Sequence, residues 1–295
     1  MPELPEVEAV CRLIRPEVQG RTIVTASVLR PRTVAPLSPA EFSRKIRGFT
    51  VSSVTRRGKN LIFQLTRSHP PENSAVMLIH LRMSGNVIVL DNSGGKKSES
   101  PPRIYFADCL TKPESASGIC VIFELDKSIR MVLKDRRGLA ACSLLSQEEA
   151  AQRLSKIGVE PLSPEFTPQT LFALTRKSPQ PIKVWLLSQR HIAGLGNIYA
   201  VEALFRAGIH PQAAAGSISR TRIGRLHGAI VSVLKDAVKS AIQGYRHPGD
   251  FSAQEEFTPQ VYGREGQACT HCRSTVRRLR MQSRSTYFCP HCQRR

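Results

Sequence analysis

Apolar positions at the start of the chain recur with a helical period. Val7, Val10, Cys11, Ile14 and Val18 fall on one stripe, which predicts a helix over residues 2–18. Pro2 and Pro5 fit its first turn, where amide hydrogens lack intrahelical acceptors. From Thr22 to about Ser143 the pattern changes to short β-branched runs between turn residues. The predicted strands are Ile23–Val28, Val51–Thr55, Leu61–Leu65, Val76–Leu81, Val87–Leu90, Ile104–Phe106, Ile119–Leu125 and Ile129–Leu133. Such a series points to an antiparallel sandwich or barrel. Polar stretches at 92–102 and 111–118, rich in Gly, Ser, Pro and Lys, read as surface loops of low order. Helical spacing returns after Ser146, in Leu171–Leu187, Ile198–Ala207 and Ile223–Ile242. Pro161, Pro164 and Pro168 punctuate the change, so a domain boundary is expected near residues 145–165. The fold class is α+β: an N-terminal helix with an antiparallel β-sandwich, a helical domain and a C-terminal hairpin.

Charge narrows the function. Of 295 residues, 43 are Lys or Arg and 23 are Asp or Glu, a formal net charge of +20. That excess suits a polyanion-binding surface, and nucleic acid is the commonest such partner. No apolar run approaches the roughly 20 residues that cross a bilayer, and the N-terminus lacks a secretory layout. A cytoplasmic protein without a membrane partner is expected. Between Arg12 and Arg67 the only acids are Glu17 and Glu41. Such a run reads either as a solvated face or as a track for phosphates.

The cysteines fall into two groups. Cys11, Cys109, Cys120 and Cys142 are scattered and read as small buried hydrophobes. Cys269, Cys272, Cys289 and Cys292 form two C-x-x-C pairs, the spacing of a four-thiolate structural zinc site. A redox dithiol needs only one such pair, and disulfides do not suit a chain without an export signal. His271 and His291 are possible substitute ligands, but four thiolates are the simpler count. Arg273, Arg277, Arg278, Arg280 and Arg284 crowd this module, so Val276–Phe288 reads as an arm that grips DNA.

The chain opens Met1-Pro2-Glu3-Leu4-Pro5-Glu6-Val7-Glu8. Removal of Met1 would leave a secondary α-amine at Pro2. An α-amine titrates near about 7.7–8.0, against about 10.4 for lysine, so much of it is a neutral nucleophile at physiological pH. Glu3 beside it can move protons, with Glu6 as a supporting carboxylate of the same turn. The same residues also read as a plain helix start, where acidic side chains favour the dipole. Lys59 is either a phosphate contact or an ammonium held in a catalytic cleft. Gly194-Leu195-Gly196-Asn197 joins two helical segments, with Asn197 placed as an N-cap; it reads as a phosphate site or as plain packing.

These stretches together resemble the formamidopyrimidine-DNA glycosylases. The resemblance rests on residues 2–8, on His80-Leu81-Arg82-Met83-Ser84-Gly85, on Gly194–Tyr199, on Val261-Tyr262-Gly263-Arg264 and on the cysteine pairs. They occur in family order and span the whole chain. The resemblance implies a DNA repair enzyme that flips a damaged base, cleaves its N-glycosidic bond and nicks the backbone by β,δ-elimination. It implies Pro2 as the nucleophile at C1′, Glu3 as the acid that opens the sugar, Lys59 in β-elimination and Arg284 in δ-elimination. It further implies phosphate binding by Asn197, with Met83, Arg137 and Leu139 filling the gap left by the flipped base. Arg103, Lys177 and Lys183 are further cationic candidates for DNA contact. The zinc is structural, no catalytic metal is expected, and the protein is expected to act as a monomer on damaged double-stranded DNA. The implied domains are a catalytic β-sandwich over 1–148, a helix–two-turn–helix domain over 149–260 and a zinc-finger hairpin over 261–295.

The chain departs from the family pattern around Asp135-Arg136-Arg137-Gly138-Leu139-Ala140. An aromatic is expected at 139 and a second basic residue at 138, and Arg136 rivals Arg137 as the inserted arginine. The segment 244–260 is shorter than the loop that closes over 8-oxoguanine, and Pro248 and Pro259 lack amide donors. Ring-opened purines are therefore the expected preferred lesions, with 8-oxoguanine released more slowly. The alternatives are an endonuclease VIII-like enzyme for oxidised pyrimidines, against which Leu4 speaks, and a non-catalytic damaged-DNA-binding protein of the same fold.

Overall fold

The computed structural model describes residues 2–67, 74–91, 117–246 and 257–294. The expected strand Ile104–Phe106, the loop at 92–102, most of the loop at 111–118 and Arg103 lie outside these residues. The chain divides into two compact units, Met1–Ser155 with Ala241–Gln254, and Lys156–Ser240 with Glu255–Arg295. The cysteine module groups with the helical residues in this division. Residues 149–155 belong to the first unit, so the two units divide after Ser155.

The first unit opens with helix α1 (Leu4–Val18), followed by strand β1 (Ile23–Val28) and helix α2 (Pro39–Ile46). Strands β2 (Thr50–Arg57), β3 (Asn60–Thr66), β4 (Ser74–His80) and β5 (Gly85–Asp91) come next. Then follow β6 (Ile119–Leu125), β7 (Ile129–Asp135), β8 (Ala141–Leu145) and helix α3 (Gln147–Ser155). Two four-stranded antiparallel sheets form, in the orders β1-β6-β7-β5 and β2-β3-β4-β8. Their facing side chains, including Val54, Leu61, Phe63, Met77, Val89, Phe123 and Met131, pack with the stripe of α1 into one core. Strand β4 is buried on both faces because Ala150 and Leu154 of α3 cover Val76 and Leu78 from outside. This explains the unbroken apolar run Ala75–Ile79 in the sequence.

Two elements escape the hydrophobic pattern. Helix α2 buries only Phe42 and Ile46, too few for a period; its signal is the capping box of Ser38 with Glu41 and Pro39 in the first turn. Strand β8 is Ala-Cys-Ser-Leu-Leu, without β-branched residues, and owes its form to pairing with β4.

In the second unit, the stretch that reads as one helix over Leu171–Leu187 is two, α4 (Pro168–Thr175) and α5 (Ile182–Leu187). Pro179 and Pro181 supply no amide hydrogens between them, which ends the ladder. Helix α6 (Asn197–Arg206) and the long α7 (Arg220–Arg246) follow, and the last turns of α7, from Ala241, belong to the first unit. A two-stranded hairpin, β9 (Arg277–Met281) with β10 (Arg284–Phe288), completes the chain.

Candidate active site and nucleic-acid interface

The first turn of α1 is fixed by two carboxylates. Glu3 is the N-cap; its side chain accepts from the Glu6 amide, and the Glu6 carboxylate accepts from the Glu3 amide at 2.7 Å. This reciprocal pairing orients the backbone that carries Pro2. Glu3 is only 3% exposed, whereas Pro2 is half-buried. One turn on, Glu8 receives Arg12 at 2.6 Å and Arg56 at 2.7 Å. Burial alone would raise the Glu8 carboxyl, but the hydrogen bonds and charges of these guanidinium groups hold it below the usual value. Arg15 also donates to the Val54 carbonyl at 2.8 Å, so α1 is tied to β2 at two points.

Strands β2 and β3 meet in a two-residue turn, Gly58-Lys59, with Gly58 at φ 56°. Lys59 is 8% exposed, more enclosed than a lysine that only contacts phosphate from the surface requires. His80 ends β4 opposite Asn60, and its Nδ1 accepts from the Arg82 amide at 3.0 Å. Burial, Arg82 and Lys59 together lower its pKa to about 4. The imidazole is therefore neutral at pH 7, with Nε2 carrying the hydrogen. His80 is a functional candidate that sequence reasoning misses as a residue in its own right; an imidazole beside a lysine becomes visible only once β3 and β4 are paired.

The side chains expected to enter DNA come from two adjacent turns. Gly85 opens β5 opposite Asp135 at the end of β7, so both turns leave the same end of one sheet. In the first turn Met83 is 41% exposed; in the second, Leu139 is 37% exposed and Arg136 and Arg137 also face solvent. Gly85 must be glycine, since a Cβ there would lie 2.3 Å from the Leu81 carbonyl oxygen. Gly138 has φ 64°, which accounts for glycine where a basic residue is expected. Asp135 is fully buried: one carboxylate oxygen accepts from the Ser84 hydroxyl and, at 3.0 Å, the Arg137 amide. The other accepts from the Leu139 and Ala140 amides, both at 2.7 Å. Burial raises the Asp135 carboxyl, but these four donors outweigh it and its pKa is lowered.

Tyr245, near the end of α7, packs on the core of the first unit. Burial, reinforced by the charge of Glu6, raises its phenol pKa. No periodic pattern marks it as part of this site.

In the second unit, the turn before α6 is organised by Gln189, which accepts from the Gly194 amide at 2.8 Å and donates to the Leu195 carbonyl at 2.9 Å. Gly196, not Asn197, is the N-cap; Asn197 is the first helical residue. Its side chain donates to the Ser285 carbonyl at 3.0 Å, which engages one of its amide hydrogens within the protein. Lys177 is exposed after α4. Lys183 is not at the surface, since it is fully buried on α5. Burial and the nearby Arg284 lower its pKa to about 8. Arg284 is exposed and opens β10 after the turn Gln282-Ser283, whose residues have φ of 44° and 60°.

The sulfur atoms of Cys269, Cys272, Cys289 and Cys292 lie within 4.8 Å of one another. Two of the separations are 3.9 Å and 3.4 Å. Tetrahedral zinc with bonds of about 2.3 Å requires sulfurs about 3.8 Å apart, so the four thiolates fit one ion. The module is anchored to the helices through Gln293, which donates to the Ile209 carbonyl at 2.9 Å. Glu202 on α6 accepts from the Gln260, Val261 and Tyr262 amides at 2.8–3.0 Å. A buried glutamate within a helix gives no sequence signal for this role. Among the described residues, no helix is long and apolar enough to cross a membrane.

Comparisons with known proteins bear on both units. Residues 1–142 match the formamidopyrimidine-DNA glycosylase N-terminal domain, and residues 157–247 match the H2TH domain of the same enzymes. Residues 266–295 match the zinc finger found in FPG and IleRS. A formamidopyrimidine-DNA glycosylase of Chloroflexus aurantiacus is 36% identical, over 99% of this chain and 98% of its own length. One from Exiguobacterium is 33% identical with full coverage of both. Among solved structures, the Lactococcus lactis enzyme non-covalently bound to DNA with an AP site superposes with a TM-score of 0.79 at 28% identity, covering 99% of this chain and 100% of that one. A point mutant of that enzyme in complex with Fapy-dG DNA gives 0.80 at 27% identity, with full coverage of both chains.

Proposed function

The chain belongs to the formamidopyrimidine-DNA glycosylase family, and from that premise we propose how its residues divide the work on damaged DNA. The protein is a DNA repair glycosylase that binds damaged double-stranded DNA, its family activity includes abasic-site lyase cleavage, and one structural zinc is held by its four cysteines. We place its action in the cytoplasm.

Removal of Met1 leaves the Pro2 nitrogen as a secondary amine. Its lone pair attacks C1′ as the N-glycosidic bond breaks; the bonding electrons leave with the base, which takes up the proton lost from the Pro2 nitrogen. Glu3 supplies a proton to the ring oxygen of the sugar, which opens to an iminium with Pro2. The Glu3 carboxylate left by that transfer takes the C2′ proton, and the freed electron pair expels the 3′ phosphate, with Lys59 and the neutral Nε2–H of His80 stabilising the phosphate oxygens. A second elimination expels the 5′ phosphate against Arg284. Lys177 and the remaining amide hydrogen of Asn197 contact the backbone, while Met83, Arg137 and Leu139 fill the vacated stack. The observation that carries this reading is the Glu3–Glu6 pairing, which sets a buried carboxyl group beside Pro2.

The preferred lesion is a ring-opened purine. Leu139 offers no aromatic stack, worth about 1–3 kcal/mol per base, so an intact 8-oxoguanine is held less well. Single-turnover excision from otherwise identical duplexes tests this: faster release of formamidopyrimidine supports it, and equal or faster release of 8-oxoguanine contradicts it.

A further inference from the structure

Asp135 is fully buried, so it cannot touch DNA, yet it binds both turns that carry the apolar side chains proposed to enter the duplex. The Ser84 hydroxyl, next to Met83, and the Arg137 amide share one oxygen; the Leu139 and Ala140 amides share the other. No other single group among the described residues is shown to join these two turns by hydrogen bonds. The backbone between them is also constrained, by Arg82 at φ 57° on one side and Gly138 at φ 64° on the other.

We propose that Asp135 is a positioning residue that presents Met83 and Leu139 to the duplex as one rigid pair, and thereby sets how well the enzyme separates a flippable lesion from a normal base pair. The proposal rests on the reading above that these two side chains occupy the stack during flipping. A wedge on an ordered turn enters without first losing the freedom of a mobile one, so the shared anchor makes insertion at one turn depend on the other. A lesion that unstacks easily needs the pair less than an intact base pair does. Weakening the anchor should therefore slow excision from duplex DNA while sparing chemistry on a sugar that is already exposed.

Ser84→Ala removes one of the four donors and leaves every proposed catalytic group and both wedges in place. It should slow single-turnover excision from a formamidopyrimidine duplex by about five-fold, the equivalent of one hydrogen bond. Cleavage of a preformed abasic site in single-stranded DNA should stay within about two-fold, because no stack has to be filled. The effect of Leu139→Ala should shrink in the Ser84→Ala background although Ser84 lies on the other turn, a coupling that independent turns would not show. Asp135→Asn should give the same pattern with a larger duplex defect. If Met83→Ala and Leu139→Ala slow duplex excision but Ser84→Ala does not, or if the double variant is simply additive, the anchor is refuted and the wedge reading survives. If neither wedge variant slows excision, the wedge reading fails and the proposal fails with it.

Discussion

The side-chain amide of Asn197 donates to the carbonyl oxygen of Ser285 at 3.0 Å, joining the first turn of α6 to the strand that begins with Arg284. The arginine proposed to grip the phosphate therefore sits on a hairpin steadied from the helical part of the same unit. Asn197→Ala removes that bond and leaves the carbonyl unmatched, at a cost of about 1 kcal/mol, or roughly five-fold in affinity for abasic-site DNA. Asn197→Asp should cost more, since a carboxylate would face the carbonyl. Equilibrium binding of the two variants at one salt concentration checks the order.

His80 gives the fold a pH signature. Its folded pKa of about 4 lies below the ordinary 6.5, so between these values the unfolded chain binds a proton that the folded chain excludes. The stability associated with the neutral imidazole is full above pH 6.5 and is lost as pH falls toward 4. Urea denaturation at pH 7 and pH 5 should show a drop about 1–2 kcal/mol larger in the wild type than in His80→Gln. Equal drops would mean that His80 is not enclosed as described.

Zinc should matter to one unit and not to the other. The four cysteines lie wholly within the second unit, and the β-sandwich core contains none of them. Cys289→Ser, or chelation, should disorder the arginine hairpin and weaken DNA binding by at least about ten-fold, because ligand order and folding are linked in such modules. Near-ultraviolet and far-ultraviolet spectra should retain the β-sandwich signal. Elemental analysis should give one zinc per chain.

Much of this is legible in the chain because the informative groups are local. The stripe Val7–Val18, the short β-branched runs of β1–β7 and the two C-x-x-C pairs each declare themselves within a short window. What escapes depends on partners distant in sequence. Strand β8 exists because β4 lies beside it, and Asp135 gains its role from donors on two turns that only the sheet brings together. Asn197 has the residue type and place of a helix cap, yet Gly196 fills that position and the Asn197 side chain instead reaches the hairpin. Lys183 reads like any surface cation and is buried, which its mixed helical surroundings do not reveal.

The central claim is a covalent step through the Pro2 nitrogen, and reductive trapping tests it directly. Protein with Met1 removed, as verified by mass, is incubated with abasic-site duplex and borohydride, which reduces an iminium to a stable amine. A one-to-one protein–DNA adduct should form and map by peptide analysis to Pro2, and Pro2→Gly should reduce or redirect it. No adduct from the Met1-free wild type, or an adduct mapping to Lys59 with Pro2 unmodified, would contradict the account.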